Sequence, residues 1–301
     1  MKQDMNLVAL IERFGSEETC RGYLETLRWP DGTVCPRCGS KSASRIEKRD
    51  QFDCNSCRYQ FSATSGTIFH DSHLPLWKWF LTTYMMVESK KGISANQIKR
   101  TISVSYKTAW YLCHRIRAAM TELNPELLGG TVEADETYVG GKTRGKGRRY
   151  TGNKTMVMGV VERGGNVRLK SGGKDEKEIY RQLAHAFLRR YTRPDVARLI
   201  TDEHPAYAKF ADADTRHDVI QHKTQWVNGD IHTNTVEGVW SLFKRSIIGS
   251  YHKISVKHID AYLDELEWRF NNRQNPYLFR ETLRKLVSTE GLPYQKLVAN
   301  G

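Results

Sequence analysis

Four cysteines, spaced Cys35-x2-Cys38-x15-Cys54-x2-Cys57, constrain this chain more than any other feature. Each C-x2-C turn sets two thiolates on one side of a tight knuckle. Two such knuckles facing each other close a tetrahedral shell around Zn²⁺. Pro36 stiffens the first turn, and Gly39 follows it where a left-handed residue helps. Short alternating stretches over 44–53 and 58–62 read as strands, so the spacing predicts a zinc ribbon over 29–70. A redox pair would need only one C-x2-C inside a βαβ unit, and a cytoplasmic chain disfavours disulfides. A segment this small cannot build its own core, so the metal supplies its folding energy. Protein closes all four positions, which makes the site structural. Cys20 and Cys113 lie among apolar residues and read as ordinary buried thiols.

The 301 residues allow about two domains and a smaller piece. Residues 1–28 begin as an amphipathic helix that contains acids and has no cleavage site, which excludes a secretory signal. No stretch reaches the roughly 18 apolar residues of a membrane span. Lys plus Arg number 47 against 34 Asp plus Glu, a net charge of +13. That balance favours an anionic partner, nucleic acid first, and no membrane. A cytoplasmic, nucleoid-associated protein is the expectation.

Residues 71–128 read as a helical, DNA-binding region. Residues 76–87 are apolar on most faces and predict a buried helix. Ser94 and Ser105 can each cap a helix, and the short link at 102–104 between them suits a helix-turn-helix. The second helix, 106–120, carries Lys107, Arg115 and Arg117 as candidate DNA contacts. A generic pair of packed helices would show the same pattern.

The period changes after Gly129-Gly130. Residues 131–139 alternate as a strand, 155–161 and 166–170 follow as strands around a Gly164-Gly165 hairpin signal, and 175–190 predict a helix. Residues 196–201 form an apolar strand suited to the sheet centre. A fifth strand at 217–220 and a helix at 235–248 complete the order βββαβαβα. That order fits an RNase H-like mixed sheet over 129–275, with 276–301 as a C-terminal tail. Such a sheet brings together Asp135 in the first strand, Asp202 ending the fourth, and Glu237 in the late helix. Three carboxylates can hold two Mg²⁺ ions, which prefer hard oxygens and keep their waters. Any one of these acids alone would read as a solvated charge, and Glu133, Glu136 and Glu203 lie close enough to draw a false triplet. Asn234, Glu237 and Lys244 share one helix face. Asn234 is a candidate metal or strand ligand, and Lys244 and Arg245 are candidate phosphate contacts. The Gly-spaced basic loop bearing Lys142, Arg144, Lys146, Arg148 and Arg149 is a candidate grip on the DNA backbone. His217, His222 and His232 match no closed zinc pattern.

The ribbon cysteines, the blocks at 132–142, 201–207 and 232–245, and the tail at 267–273 together resemble the ISXO-like transposases of bacterial insertion sequences, in that family's order. The resemblance implies a DDE-type catalytic domain of α/β, RNase H-like fold behind a zinc ribbon and a helix-turn-helix-like region. It implies Mg²⁺ dependence and terminal inverted repeats as the DNA substrate. Asp135 and Asp202 match the two catalytic aspartates. The third position falls on Asn234 or Glu237, and Glu237 is the better ligand for a hard cation. The expected activity is Mg²⁺-dependent DNA cleavage followed by strand transfer to target DNA, by a homo-oligomer that gathers two element ends. Two other readings share part of this pattern. An RNase H-like nuclease would keep the acids without strand transfer. A DNA-binding regulator would use the ribbon and helices without catalysis, and leaves 131–273 unexplained.

Overall fold

The computed structural model describes residues 5–140, 154–172, 179–210 and 215–299. It divides into two compact units, residues 1–121 with 274–301, and residues 122–273.

The first unit opens with helices α1 (Leu7–Phe14) and α2 (Glu17–Arg28), capped by the side chains of Asn6 and Ser16. The chain then forms an antiparallel sheet of β1 (Ala43–Ile46), β2 (Gln51–Cys54) and β3 (Gln60–Phe61). Its small core is Phe52 and Phe61 with Trp29 packed edge-on against both. Three helices follow, α3 (Leu76–Glu88), α4 (Ala95–Ile102) and α5 (Tyr106–Met120). Ser94 and Ser105 cap α4 and α5 as their spacing predicts, and Ser103 turns the chain between them at φ 51°. The C-terminal helix α9 (Leu278–Ser288) returns to this unit and packs against α2, α3 and α5. Phe279 there meets Phe14, Phe80 and Tyr84.

The second unit is a five-stranded mixed sheet. Its strands are β4 (Thr131–Val139), β5 (Thr155–Glu162), β6 (Val167–Ser171), β7 (Arg198–Asp202) and β8 (Arg216–Ile220). The spatial order is β6-β5-β4-β7-β8. β4, β5 and β6 run antiparallel as a meander, while β7 and β8 add in parallel beyond β4. This is the RNase H-like arrangement. Strand alternation sends Val132 and Ala134 to one face, where α6 (Arg181–Tyr191) covers them with Ala184, Phe187 and Leu188. Val157, Val161, Val167 and Leu169 face the other side, under α7 (Asn234–Ser246) and α8 (Ile259–Asn271). The helix expected from residue 175 begins at Arg181, and its predicted first residues lie in 173–178, outside the described residues. A short helix α10 (Tyr294–Val298) ends the chain. Among the described residues no helix is long and apolar enough to cross a membrane.

Candidate active site and metal centre

The four ribbon cysteines bring their sulfurs within 4.8 Å of one another. Cys35 and Cys57 Sγ lie 3.7 Å apart, and Cys38 and Cys54 Sγ 3.5 Å. A tetrahedron with Zn–S bonds of about 2.3 Å has edges of about 3.8 Å, so the cage fits a zinc ion. The Cys57 amide, against desolvation and with help from the Ser56 amide, draws the Cys54 thiol down to about 6. Gly39 takes φ 72° beside the first knuckle. Cys20 and Cys113 are buried apart from this cage, and burial followed by the charge of Glu17 pushes the Cys20 thiol up to about 12.

In the second unit the carboxylates sit where strand geometry sends them. Glu133 of β4 is level with Ile200 of β7 in a parallel pair. Asp135 and Asp202, each two residues further on, are therefore neighbours on one face of the sheet. Burial, then the charges of Glu136 and Asp202, push the Asp135 carboxyl up to about 7. Burial also raises Glu136 to about 7, against a 2.9 Å hydrogen bond from Tyr207 Oη. Acidic groups crowded like this, with no cationic side chain among the causes of their shifts, suit a hard divalent cation. Asp202 Oδ1 accepts the His204 amide at 2.9 Å.

Glu237 lies one turn into α7, half-buried. Its Oε1 accepts from Thr233 Oγ1 at 3.1 Å and stands 3.7 Å from His222 Nε2. Asn234, Lys244 and Arg245 are exposed on the same helix. Among the described residues the three expected ligands do not close into one compact set; only the ribbon cysteines do so.

The residue that holds this face together is one the sequence reading set aside. Glu133 is fully buried. Its carboxylate accepts from the amides of Thr235 at 2.7 Å and Val236 at 3.0 Å, from Thr235 Oγ1 at 2.8 Å, and from Arg163 Nε at 2.7 Å. Thr233 makes no side-chain cap for α7, so a carboxylate from β4 satisfies the first amides of the helix and meets the positive end of its dipole. Arg163 also reaches Asp230 O and His232 O, tying the loop before α7 to the sheet. The three histidines go to separate places: His217 to Thr201, His222 to Glu237, and His232 to Arg163.

Two expected DNA contacts are corrected. Arg115 is 5% exposed and Arg117 2% exposed. Arg115 donates to His70 O at 2.6 Å and lies over the rings of Trp79 and Tyr111. Beyond its first turn α5 is the centre of a helical bundle, so its arginines pack inward. Lys107, in that first turn, is exposed, with Nζ 4.5 Å from the Tyr294 ring centroid. Lys142, Arg144, Lys146, Arg148 and Arg149 lie in 141–153, outside the described residues.

Residues 127–271 match the family model of the ISXO2-like transposase domain, and residues 15–60 that of the transposase zinc-ribbon domain. A Halobacterium salinarum protein described as an uncharacterized protein in transposable element ISH50 is 30% identical over 302 residues, covering 93% of this chain and 98% of that protein. An uncharacterized transposase-like protein of Haemophilus influenzae is 29% identical over 87 residues, 29% of this chain and 69% of its own. Among solved structures the resemblance is slight: a chain of the Mos1 strand transfer complex aligns at 13% identity with a TM-score of 0.30, covering 69% of this chain and 75% of that one.

Proposed function

Because the chain belongs to the ISXO2-like transposases, we propose that it binds the terminal inverted repeats of an insertion sequence, cleaves DNA there and joins the freed ends to target DNA. The observation that carries this reading is the closeness of Asp135 and Asp202, each two residues beyond the paired Glu133 and Ile200 of adjacent parallel strands, where burial and then the charges of Glu136 and Asp202 hold Asp135 at about 7. Asp135, Asp202 and Glu237 would hold Mg²⁺, which would supply charge neutralisation at the attacking and leaving oxygens of one phosphate. Glu237 is the third ligand in this account, steadied by Thr233 and His222. Asn234 and Lys244, exposed on the same helix, hold the DNA strand near the reacting phosphate, and Arg245 adds a backbone contact. Lys107 and the basic segment at 142–149 contribute further phosphate contacts. A homo-oligomer on DNA follows from the need to gather two ends.

The carboxylates have no role in a regulator that only binds DNA, and that difference sets the test. Asp202→Asn should lower cleavage of DNA carrying the element's ends by at least about 100-fold, since removing even an outer-shell partner of a metal ligand costs about 10–100-fold. Its DNA affinity in gel-shift titration should stay within about twofold, since no phosphate contact is lost. Cleavage at the wild-type rate by this variant would refute the assignment of Asp202.

A further inference from the structure

Trp240 lies on α7 between Glu237 and Lys244, and its ring is buried. Its Nε1 donates to Asp135 Oδ2 at 2.9 Å. The ring reaches Asp135 by crossing β5 at Gly159, the register partner of Asp135. A Cβ at Gly159 would stand 2.5 Å from Trp240 Cη2 and 2.7 Å from Cζ2. The glycine therefore leaves a slot for the indole in the middle of a strand, where glycine otherwise weakens the sheet. An indole N–H only donates. It cannot ligate a cation, but it can hold one carboxylate oxygen and leave the other free.

We propose that Trp240, seated over Gly159, is a positioning residue that engages Asp135 Oδ2 and presents Oδ1 alone to a divalent cation. The proposal rests on Asp135 being a metal ligand. It assigns the indole a second role beside its packing against Val157, Val161 and Leu169.

The test uses the zinc-loaded full-length chain and Mn²⁺ as probe, with free Mn²⁺ followed by electron paramagnetic resonance and folding by circular dichroism. Trp240→Phe keeps an aromatic ring and removes the donor. It should stay folded and weaken Mn²⁺ binding about 10-fold, the loss expected for one hydrogen bond to a charged group. Gly159→Ala should weaken binding similarly by displacing the indole. Added to Trp240→Phe it should cost nothing further, because the smaller ring makes room for the methyl group and the donor is already gone. A role in packing alone predicts losses of stability, coupled between these touching positions, with unchanged Mn²⁺ affinity. Wild-type affinity in Trp240→Phe, with affinity lost in Asp135→Asn, would overturn the proposal and leave the metal reading standing. Wild-type affinity in Asp135→Asn would overturn both. Should Trp240→Phe not fold, Gly159→Ala decides alone: unchanged affinity there refutes the positioning role.

Discussion

A carboxyl held at about 7 by burial, Glu136 and Asp202 is a burden on the protein without its cation at neutral pH. Unfolded, Asp135 releases its proton near about 4; folded, it keeps it to about 7. Between those values the native state binds more protons than the unfolded one, so stability falls as pH rises, and the loss is complete above 7. Glu136, also raised to about 7, acts in the same direction. A divalent cation at these groups offsets the repulsion only where they are ionised. Mg²⁺ should therefore raise the Tm of the full chain more at pH 8 than at pH 5.5, and Asp135→Asn should remove most of that difference. Equal increments at both pH values, measured by scanning calorimetry, would show that these carboxyls do not meet the cation. At this scale the sequence carried the positions of Asp135 and Asp202, because strand parity and strand ends are local properties. It did not carry the role of Glu133, whose helix-capping partners lie 102 and 103 residues away. Nor did it carry the burial of Arg115 and Arg117. A charge on a helix suggests an exposed face, and only the surrounding bundle shows otherwise.

The elements depend on such distant closures to different degrees. The ribbon was legible because its ligands, turns and strands all lie within one short segment. Cys54→Ser should remove the single zinc per chain and open residues 29–70 to protease, read by metal analysis and limited proteolysis; an unchanged zinc content would contradict the site. Helix α7 is the opposite case. Its pattern predicted a helix and a shared face for Asn234, Glu237 and Lys244, but its docking is set by Glu133 from β4. Glu133→Ala would leave the first amides of α7 and the Arg163 guanidinium without their acceptor. It should destabilise the protein by about 3 kcal/mol in urea unfolding, as breaking a buried charged network does. Glu133→Gln, which keeps an acceptor, should cost less. A loss below about 0.5 kcal/mol for the alanine variant, the scale of an ordinary surface change, would mean that α7 is held by its apolar face alone.

Across the whole molecule, the predicted strands were enough to name the sheet, because the switch from helical to alternating period at Gly129-Gly130 marks a change of architecture, although the order βββαβαβα puts a helix between the fourth and fifth strands where the described residues hold only the short 3-10 turn Pro205–Tyr207. The return of α9 to the first unit was not legible. Residues 276–301 read only as a C-terminal tail, yet Leu278–Ser288 is a helix there, and nothing local says that Phe279 joins Phe14 and Phe80 from the other end of the chain. In the proposed function, the zinc ribbon and the acidic RNase H-like sheet of this one chain act together on DNA, cutting it and then joining the freed ends. The most direct test is a strand-transfer assay on labelled DNA bearing the element's own ends, with Mg²⁺ and with EDTA. Labelled ends joined to target DNA with Mg²⁺ and absent with EDTA are the expected result. Tight binding of the ends with neither cleavage nor joining, in Mg²⁺ and in Mn²⁺, would contradict the account and favour a DNA-binding regulator.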